Sequence, residues 1–204
     1  MPVIGVTGGI ASGKSTVTQM IFHHVQSFAK VERFSADDYS HQLLANDPAV
    51  KNAVVALWGL EICNSDGSVS RPALRQKVFG NTEARNALER ILHPKIHQYW
   101  QTRAKLFRGS PNYFIAEIPL LYETNGAQHF DCIVVVAADA AIQLQRLSSK
   151  RGWSLETARR VIEAQMPAAE KMRLADILIL NHHTEKLLQR QAHLAVSALL
   201  MRYA

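Results

Sequence analysis

The sequence is poor in cysteine: Cys63 and Cys132 are the only two, and they do not form a CxxC pair. This content suits a reduced protein better than a disulfide framework or a zinc site. Long apolar runs are also missing, since the run at 133–138 has only the length of a strand, so we expect no membrane partner. The N-terminus lacks a basic region before its first apolar run and does not resemble an export signal. We therefore predict a cytoplasmic location.

The sequence also has no run of five or more like charges, although 23 Lys and Arg against 17 Asp and Glu give a net charge of +6. Such a balance suits either nucleic acid or a phosphorylated small molecule. Because the basic residues are dispersed, we expect no nucleic-acid partner. A hydrophobic content of 48% over 204 residues excludes a disordered chain and predicts a single domain over 1–204.

What the sequence does contain is a series of short apolar runs separated by helical patterns. Strands are predicted at 3–6, 31–34, 113–117, 132–138 and 177–180. Helices are predicted at 14–28, from Asp37-Asp38 onward, from an Asp139 cap to 149, at 154–166 and at 184–201. This alternation predicts an α/β fold, a parallel sheet flanked by helices. The segment 46–107, between the predicted strands at 31–34 and 113–117, carries three helix starts and no clear strand, which indicates a helical insert.

A phosphate-binding loop follows the first predicted strand. Residues 8–15 satisfy G-x-x-x-x-G-K-S, with a strand before the pattern and an amphipathic helix after it. Lys14 would reach the β- and γ-phosphates of ATP, and the Ser15 hydroxyl would hold Mg²⁺. The predicted ATP-binding residues of this segment are Gly8, Gly9, Ala11, Ser12, Gly13, Lys14, Ser15 and Thr16.

The loop alone does not name the reaction, because kinases, ATPases and GTP-dependent switches all use it. A guanine-reading Asn-Lys-x-Asp is absent from the sequence. An ATPase needs an acid that places water after a hydrophobic strand, and Asp139 fits this poorly because it also suits a helix cap. A kinase needs a base near the acceptor hydroxyl. Asp37, after the second strand, is the candidate, with helix capping by Asp37 or Asp38 as the equal alternative.

Seven motifs occur in the order found in dephospho-CoA kinases, and together the chain resembles that family over nearly its whole length. They are TGGIASGKST at 7–16, Ser35-Ala36-Asp37, Leu92-His93-Pro94, PLLYE at 119–123, Arg146 with Lys150, Arg160 to Gln165, and Ala175-Asp176 with Asn181. The resemblance implies transfer of the ATP γ-phosphoryl group to the ribose 3′-hydroxyl of dephospho-CoA, giving CoA and ADP. It also implies a nucleoside-monophosphate-kinase-like P-loop fold with ATP and Mg²⁺ bound.

The resemblance further implies roles for single residues. Asp37 and Lys14 would be catalytic, with Asp37 accepting the 3′-hydroxyl proton or orienting that hydroxyl. Arg146, Lys150 and Asn181 would join the ATP site, the first two on a lid at about 146–165. The insert at about 46–107 would hold the substrate. The predicted substrate-binding residues are Thr7, Asp37, Arg71, Arg75, His93, Leu120 and Glu123.

Structural roles compete with several of these assignments. Arg71 can simply precede a helix, His93 can fix a turn before Pro94, and the lid cations can form a solvated helix face. Gln165, Asp176 and Asn181 can be structural or can line the adenine pocket. His182-His183 lack the spacing of metal ligands and are interpreted as loop residues.

Four positions depart from the family pattern: Ala11 and His182 stand in place of glycine, Ser35 in place of aspartate, and Lys150 in place of arginine. None of them removes the core of the phosphate site. Two alternatives stay open, another P-loop small-molecule kinase and a nucleic-acid-stimulated ATPase. The oligomeric state is not predicted, and a monomer is compatible with the sequence.

Overall fold

The computed structural model describes residues 1–182 and 184–203, and its centre is a five-stranded sheet. The strands are β1 Val3–Gly8, β2 Val31–Ser35, β3 Tyr113–Glu117, β4 Cys132–Ala137 and β5 Ile177–Leu180. Their order is β2-β3-β1-β4-β5, and β1 pairs in parallel with both β3 and β4, as β4 does with β5. The first strand of the chain is therefore the middle strand of the sheet.

Strands β1, β3 and β4 are buried along their full length, which explains why they are continuous apolar runs rather than alternating ones. The edge strands β2 and β5 are only partly buried. The sheet and the helices on it belong to a compact unit formed by residues 1–34 and 103–204. Its helices are α1 Lys14–Gln26, α6 Ala140–Arg151, α7 Leu155–Glu163, α8 Ala168–Arg173 and α9 Glu185–Tyr203.

The core of this unit lies between the sheet and the pair α1 and α9. Val17, Ile21 and Val25 of α1 are fully buried, at the four-residue spacing of one helix face. They share a cluster with Ile4 and Val134 of the sheet. This packing fixes the start of α1, and hence the end of the phosphate loop, against β1.

A second compact unit spans residues 35–102. It contains α2 Ala36–Asn46, α3 Pro48–Trp58, α4 Arg71–Val78 and most of α5 Thr82–Phe107. Local capping explains these helices: Asp47 accepts from the amides of Ala49 and Val50, and Ser70 and Asn81 cap the next two starts. The Lys95–Asp47 ion pair at 2.8 Å ties α5 to the start of α3.

Most predicted elements are present, and the differences have local causes. The Asp37-Asp38 start is wrong by one residue, since α2 begins at Ala36 and Ser35 is its cap. Leu92-His93-Pro94 lies inside α5, so no turn precedes Pro94. The six-residue α8 was not predicted, because the segment after Pro167 is too short to show a helical period.

Two further predictions concern the loops that follow β4 and β5. Asp139 does precede α6, but its carboxylate does not cap that helix; it pairs with the His182 ring, with 2.9 Å between Oδ2 and Nδ1. His183, interpreted as a loop residue, lies outside the described residues. Over 1–182 and 184–203, no helix has both the length and the apolar character needed to cross a membrane.

Candidate active site

The phosphate loop leaves the carboxyl end of the central strand β1 and runs into α1. Gly8 and Gly13 have positive φ angles of 150° and 95°. A Cβ at Gly8 would lie 2.1 Å from the Val136 carbonyl oxygen, and one at Gly13 would lie 2.2 Å from Asn181 Nδ2. Glycine is thus required by conformation at both positions, and at Gly8 also by the space that the Val136 backbone leaves.

Lys14 begins α1 and points back over the loop. Its side chain is 8% exposed, and Nζ donates to the carbonyl oxygens of Gly8 at 3.1 Å and Gly9 at 2.8 Å. The ammonium group is therefore held against the loop, close to the N-terminal end of α1. A cation together with a helix N-terminus is an arrangement that binds phosphate oxygens.

Ser15, the next residue, contacts an acid that sequence reasoning missed. Its hydroxyl donates to Glu117 Oε1 at 2.6 Å, and Glu117 is the last residue of β3 and 5% exposed. The signal was available, since the predicted strand at 113–117 is an apolar run that ends in a carboxylate. Its importance was not visible because only the pairing of β1 with β3 brings Glu117 to the loop.

Side chains from α6, from the end of α7 and from the end of β5 hold the loop from outside. Gln143 donates to the Ile10 carbonyl at 2.6 Å, and Gln165 accepts from the Ile10 amide at 2.8 Å. Arg146 donates to the carbonyls of Ala11 at 3.0 Å and Asn181 at 3.2 Å. Asn181 in turn donates to the Ser12 carbonyl at 2.8 Å. These residues thus fix the shape of the loop.

The structure places two predicted ATP-site residues, Arg146 and Asn181, directly against the loop, and a third elsewhere. Lys150 lies one turn further along α6 and is exposed. Arg160 of α7 pairs with Glu156 on an exposed helix face. The contact of Lys150 with ATP and the lid at about 146–165 stay predictions.

The predicted substrate residues of the sheet unit lie near the segment that follows β3. Thr7 is fully buried and its hydroxyl donates to the Pro119 carbonyl at 3.2 Å. Leu120 is half-buried. Glu123 forms an ion pair with Lys171 of α8 at 2.8 Å. Beside them, burial and the nearby Asp176 raise the pKa of Tyr122 to about 12, so its hydroxyl, which donates to the Leu174 carbonyl, stays protonated.

The other predicted substrate residues belong to the unit at 35–102. Asp37 lies in the first turn of α2 and is exposed, while the Ser35 side chain accepts from the Asp38 amide at 3.2 Å. Serine therefore serves as the cap at the position where aspartate was expected, because both side chains accept from a helix amide. Arg71 lies 2.9 Å from the His41 ring.

The remaining two candidates of that unit, Arg75 and His93, lie on α4 and α5. Arg75 is exposed. The His93 ring stacks on His97 at 5.7 Å between centroids. Their contacts with substrate stay predictions.

The parallel sheet with β1 at its centre, the glycine loop and the buried Lys14 define a P-loop protein of the kinase-like class. A shikimate kinase from Acinetobacter baumannii shares this fold, with a TM-score of 0.59 over 100% of this chain and 95% of that chain, at 11% identity.

The sequence comparisons define the family. The profile of the dephospho-CoA kinase family matches residues 2–186. A dephospho-CoA kinase from Methylococcus capsulatus is 36% identical over 182 residues, which cover 89% of this chain and 88% of the relative. The structure of a dephospho-CoA kinase from Campylobacter jejuni matches with a TM-score of 0.66 and 25% identity, over 96% of each chain. The chain belongs to the dephospho-CoA kinase family.

Proposed function

We propose that the protein transfers the γ-phosphoryl group of ATP to the ribose 3′-hydroxyl of dephospho-CoA, giving CoA and ADP. The observation that carries this function is membership of the family over residues 2–186, together with an intact phosphate loop. Phosphoryl transfer asks a protein mainly to position its reactants and to neutralise the charge of the transferred group. Lys14 and the amides at the start of α1 would position the phosphates of ATP and neutralise their charge.

Mg²⁺ belongs to this proposal, and the side chains beside the loop fit it. Hard cations of this kind prefer oxygen ligands. The Ser15 hydroxyl and the Glu117 carboxylate supply oxygen atoms 2.6 Å apart, next to the loop. When bound, Mg²⁺ neutralises phosphate charge. Glu117 orients the Ser15 hydroxyl and is the natural second partner for the ion.

Asp37 is the proposed general base. Its exposed carboxylate, in the first turn of α2, would accept the proton of the 3′-hydroxyl or orient that hydroxyl. Arg71, Arg75, His93 and Leu120 are the proposed contacts with dephospho-CoA, and the 46–107 insert its binding region. Closure of a lid at about 146–165 would exclude water, which a kinase needs in order to suppress ATP hydrolysis. The reaction is proposed to occur in the cytoplasm.

The test is ADP release by the purified protein with Mg·ATP, measured with and without dephospho-CoA. We expect release to depend on dephospho-CoA and the product to gain the mass of one phosphate. Lys14→Ala is the matched control, because it removes the phosphate-loop cation and should abolish most turnover with the fold retained. AMP, UMP and shikimate in place of dephospho-CoA should give little ADP.

Two results would contradict the proposal. Efficient phosphorylation of one of those other acceptors would indicate a different small-molecule kinase. ADP release without a phosphorylated acceptor, stimulated by DNA or RNA and steeply reduced by salt, would indicate the nucleic-acid-dependent ATPase.

A further inference from the structure

Lys171 of α8 is a charged residue with no exposed surface. Its Nζ lies 2.8 Å from Glu123 Oε1 and donates to the Pro119 carbonyl oxygen at 3.2 Å. An ammonium group taken out of water is stable only when it is paired and hydrogen-bonded, so these contacts fix where Lys171 lies. They tie α8 to the segment that follows β3.

Glu123 is the centre of this arrangement. Its Oε1 atom also accepts from the Met166 amide at 3.1 Å. The other carboxylate oxygen, Oε2, is buried and has no hydrogen-bond partner among the described residues. Removal of either partner would leave the other without its opposite charge in a largely buried setting, so the two groups act as one unit.

Two short chains of contacts connect the Lys171–Glu123 pair to the phosphate loop. Met166 follows Gln165, whose side chain accepts from the Ile10 amide inside the loop at 2.8 Å. On the other side, the Pro119 carbonyl that binds Lys171 also accepts from the hydroxyl of Thr7, the residue before Gly8. The start and the middle of the loop are thus both connected to the same buried ion pair.

We propose that Lys171 and Glu123 are positioning residues for ATP, acting through Thr7 and through Gln165 on the shape of the phosphate loop. The proposal deepens the proposed function and rests on it. Apolar residues of similar size would fill the space, but they could not hold the Pro119 carbonyl and the Met166 amide. Glu123 then serves the ATP side rather than contacting dephospho-CoA.

The experiment uses Lys171→Met, Glu123→Gln and the double variant in the full-length protein. For each, kcat and the KM values for ATP and for dephospho-CoA are measured at a temperature at which circular dichroism shows the fold intact. We expect each single variant to lose at least 10-fold in kcat and to raise KM for ATP, since small displacements of reacting groups are costly. KM for dephospho-CoA should stay within 2-fold.

The double variant should lose no more kcat than the worse single variant, because the pair acts as a unit. Arg108→Met is the matched control. It breaks another ion pair of the same unit, Arg108–Asp131 at 3.3 Å, at the opposite, amino edge of the sheet, and should leave all three constants unchanged.

Three results would overturn the proposal. Constants within 2-fold of the parent in folded Lys171→Met or Glu123→Gln would make the pair merely structural. A rise in KM for dephospho-CoA alone in Glu123→Gln would make Glu123 a substrate contact. Losses in the single variants that add up in the double variant would separate the two residues.

A second variant and a direct measurement of ATP binding keep the positioning role testable if one variant or the proposed function fails. If Lys171→Met does not fold, the isosteric Glu123→Gln answers the same question. The ATP dissociation constant, measured by calorimetry without acceptor, should rise in both variants whichever molecule is phosphorylated. A parent protein that binds ATP but leaves dephospho-CoA unchanged contradicts the proposed function alone, whereas unchanged ATP binding in the variants contradicts the positioning role.

Discussion

At the scale of single residues, Ala11 is the position where the phosphate loop is under strain. Its φ angle is +57°, and Arg146 holds its carbonyl oxygen at 3.0 Å. A left-handed conformation costs a residue with a Cβ about 1–2 kcal/mol, and glycine avoids that cost. Glycine also gives the unfolded chain more conformational freedom, which offsets part of this gain. We therefore expect Ala11→Gly to raise the free energy of unfolding by up to about 1 kcal/mol in urea titrations.

Ala198→Gly is the control for this prediction. Ala198 is exposed on α9, where glycine should instead lower the free energy of unfolding by about 1 kcal/mol. If Ala11→Gly destabilised the protein as Ala198→Gly does, backbone strain at Ala11 would be excluded.

Asp37 and Asp38 allow the proposed base to be tested against an equivalent neighbour. Both are exposed in the first turn of α2, and neither is its cap. Asp37→Asn should lower kcat by about 10²-fold or more, as expected for a general base, with ATP binding unchanged. Asp38→Asn should stay within a few-fold of the parent. The measurement is kcat from steady-state kinetics of both variants. A large loss in Asp38→Asn with little change in Asp37→Asn would assign the base to Asp38.

At the scale of elements, the contact between α1 and α9 should make the sheet unit sensitive to acid. The rings of His24 on α1 and His193 on α9 lie 4.3 Å apart. Burial, and then the nearby His193, lower the pKa of His24 below its usual 6.5. The folded state therefore binds fewer protons there than the unfolded state, and the free energy of unfolding should fall as the pH drops below about 6.5.

The measurement is urea unfolding at pH 7.5 and pH 5.5 for the parent and for His193→Gln. The variant should lose less stability between the two pH values, because the charge of His193, which opposes protonation of His24, is gone. His24→Gln should do the same. Part of the acid sensitivity should persist in both, since burial also lowers the pKa of His97 and His129. An unchanged pH dependence in both variants would contradict the role of this contact.

Elements were predictable wherever the signal is local. Asp47 before Pro48 and Ser154 before α7 mark helix starts through their own side chains, which accept from amides two or three residues on. The buried strands β3 and β4 are recognisable because both of their faces must be apolar. Glu117 is the counterexample, since its contact with Ser15 depends on strand pairing across the chain. The structural role of Arg146 was not predictable for the same reason. Its acceptors are backbone carbonyls, which every residue has and which no sequence pattern identifies.

At the scale of the whole molecule, the predicted α/β class and the predicted family are confirmed by the five-stranded sheet and by the match over residues 2–186. Seven dispersed motifs in one order were sufficient for that. The order of the strands was not predictable, because it is decided by which buried edges meet in three dimensions. The substrate-binding residues and the bounds of insert and lid stay predictions, and the kinetic experiments above address the first of them.

The central place of β1 has a consequence for how the chain is made. This strand leaves the ribosome well before its neighbours β3 and β4, since Thr7 and Pro119, which hydrogen-bond, are 112 residues apart. At bacterial or eukaryotic synthesis rates that gap is roughly 5 to 20 s. During this time an apolar strand with two unpaired edges is exposed. The nucleotide site can form only late in synthesis, and nascent chains are most prone to aggregate before that point.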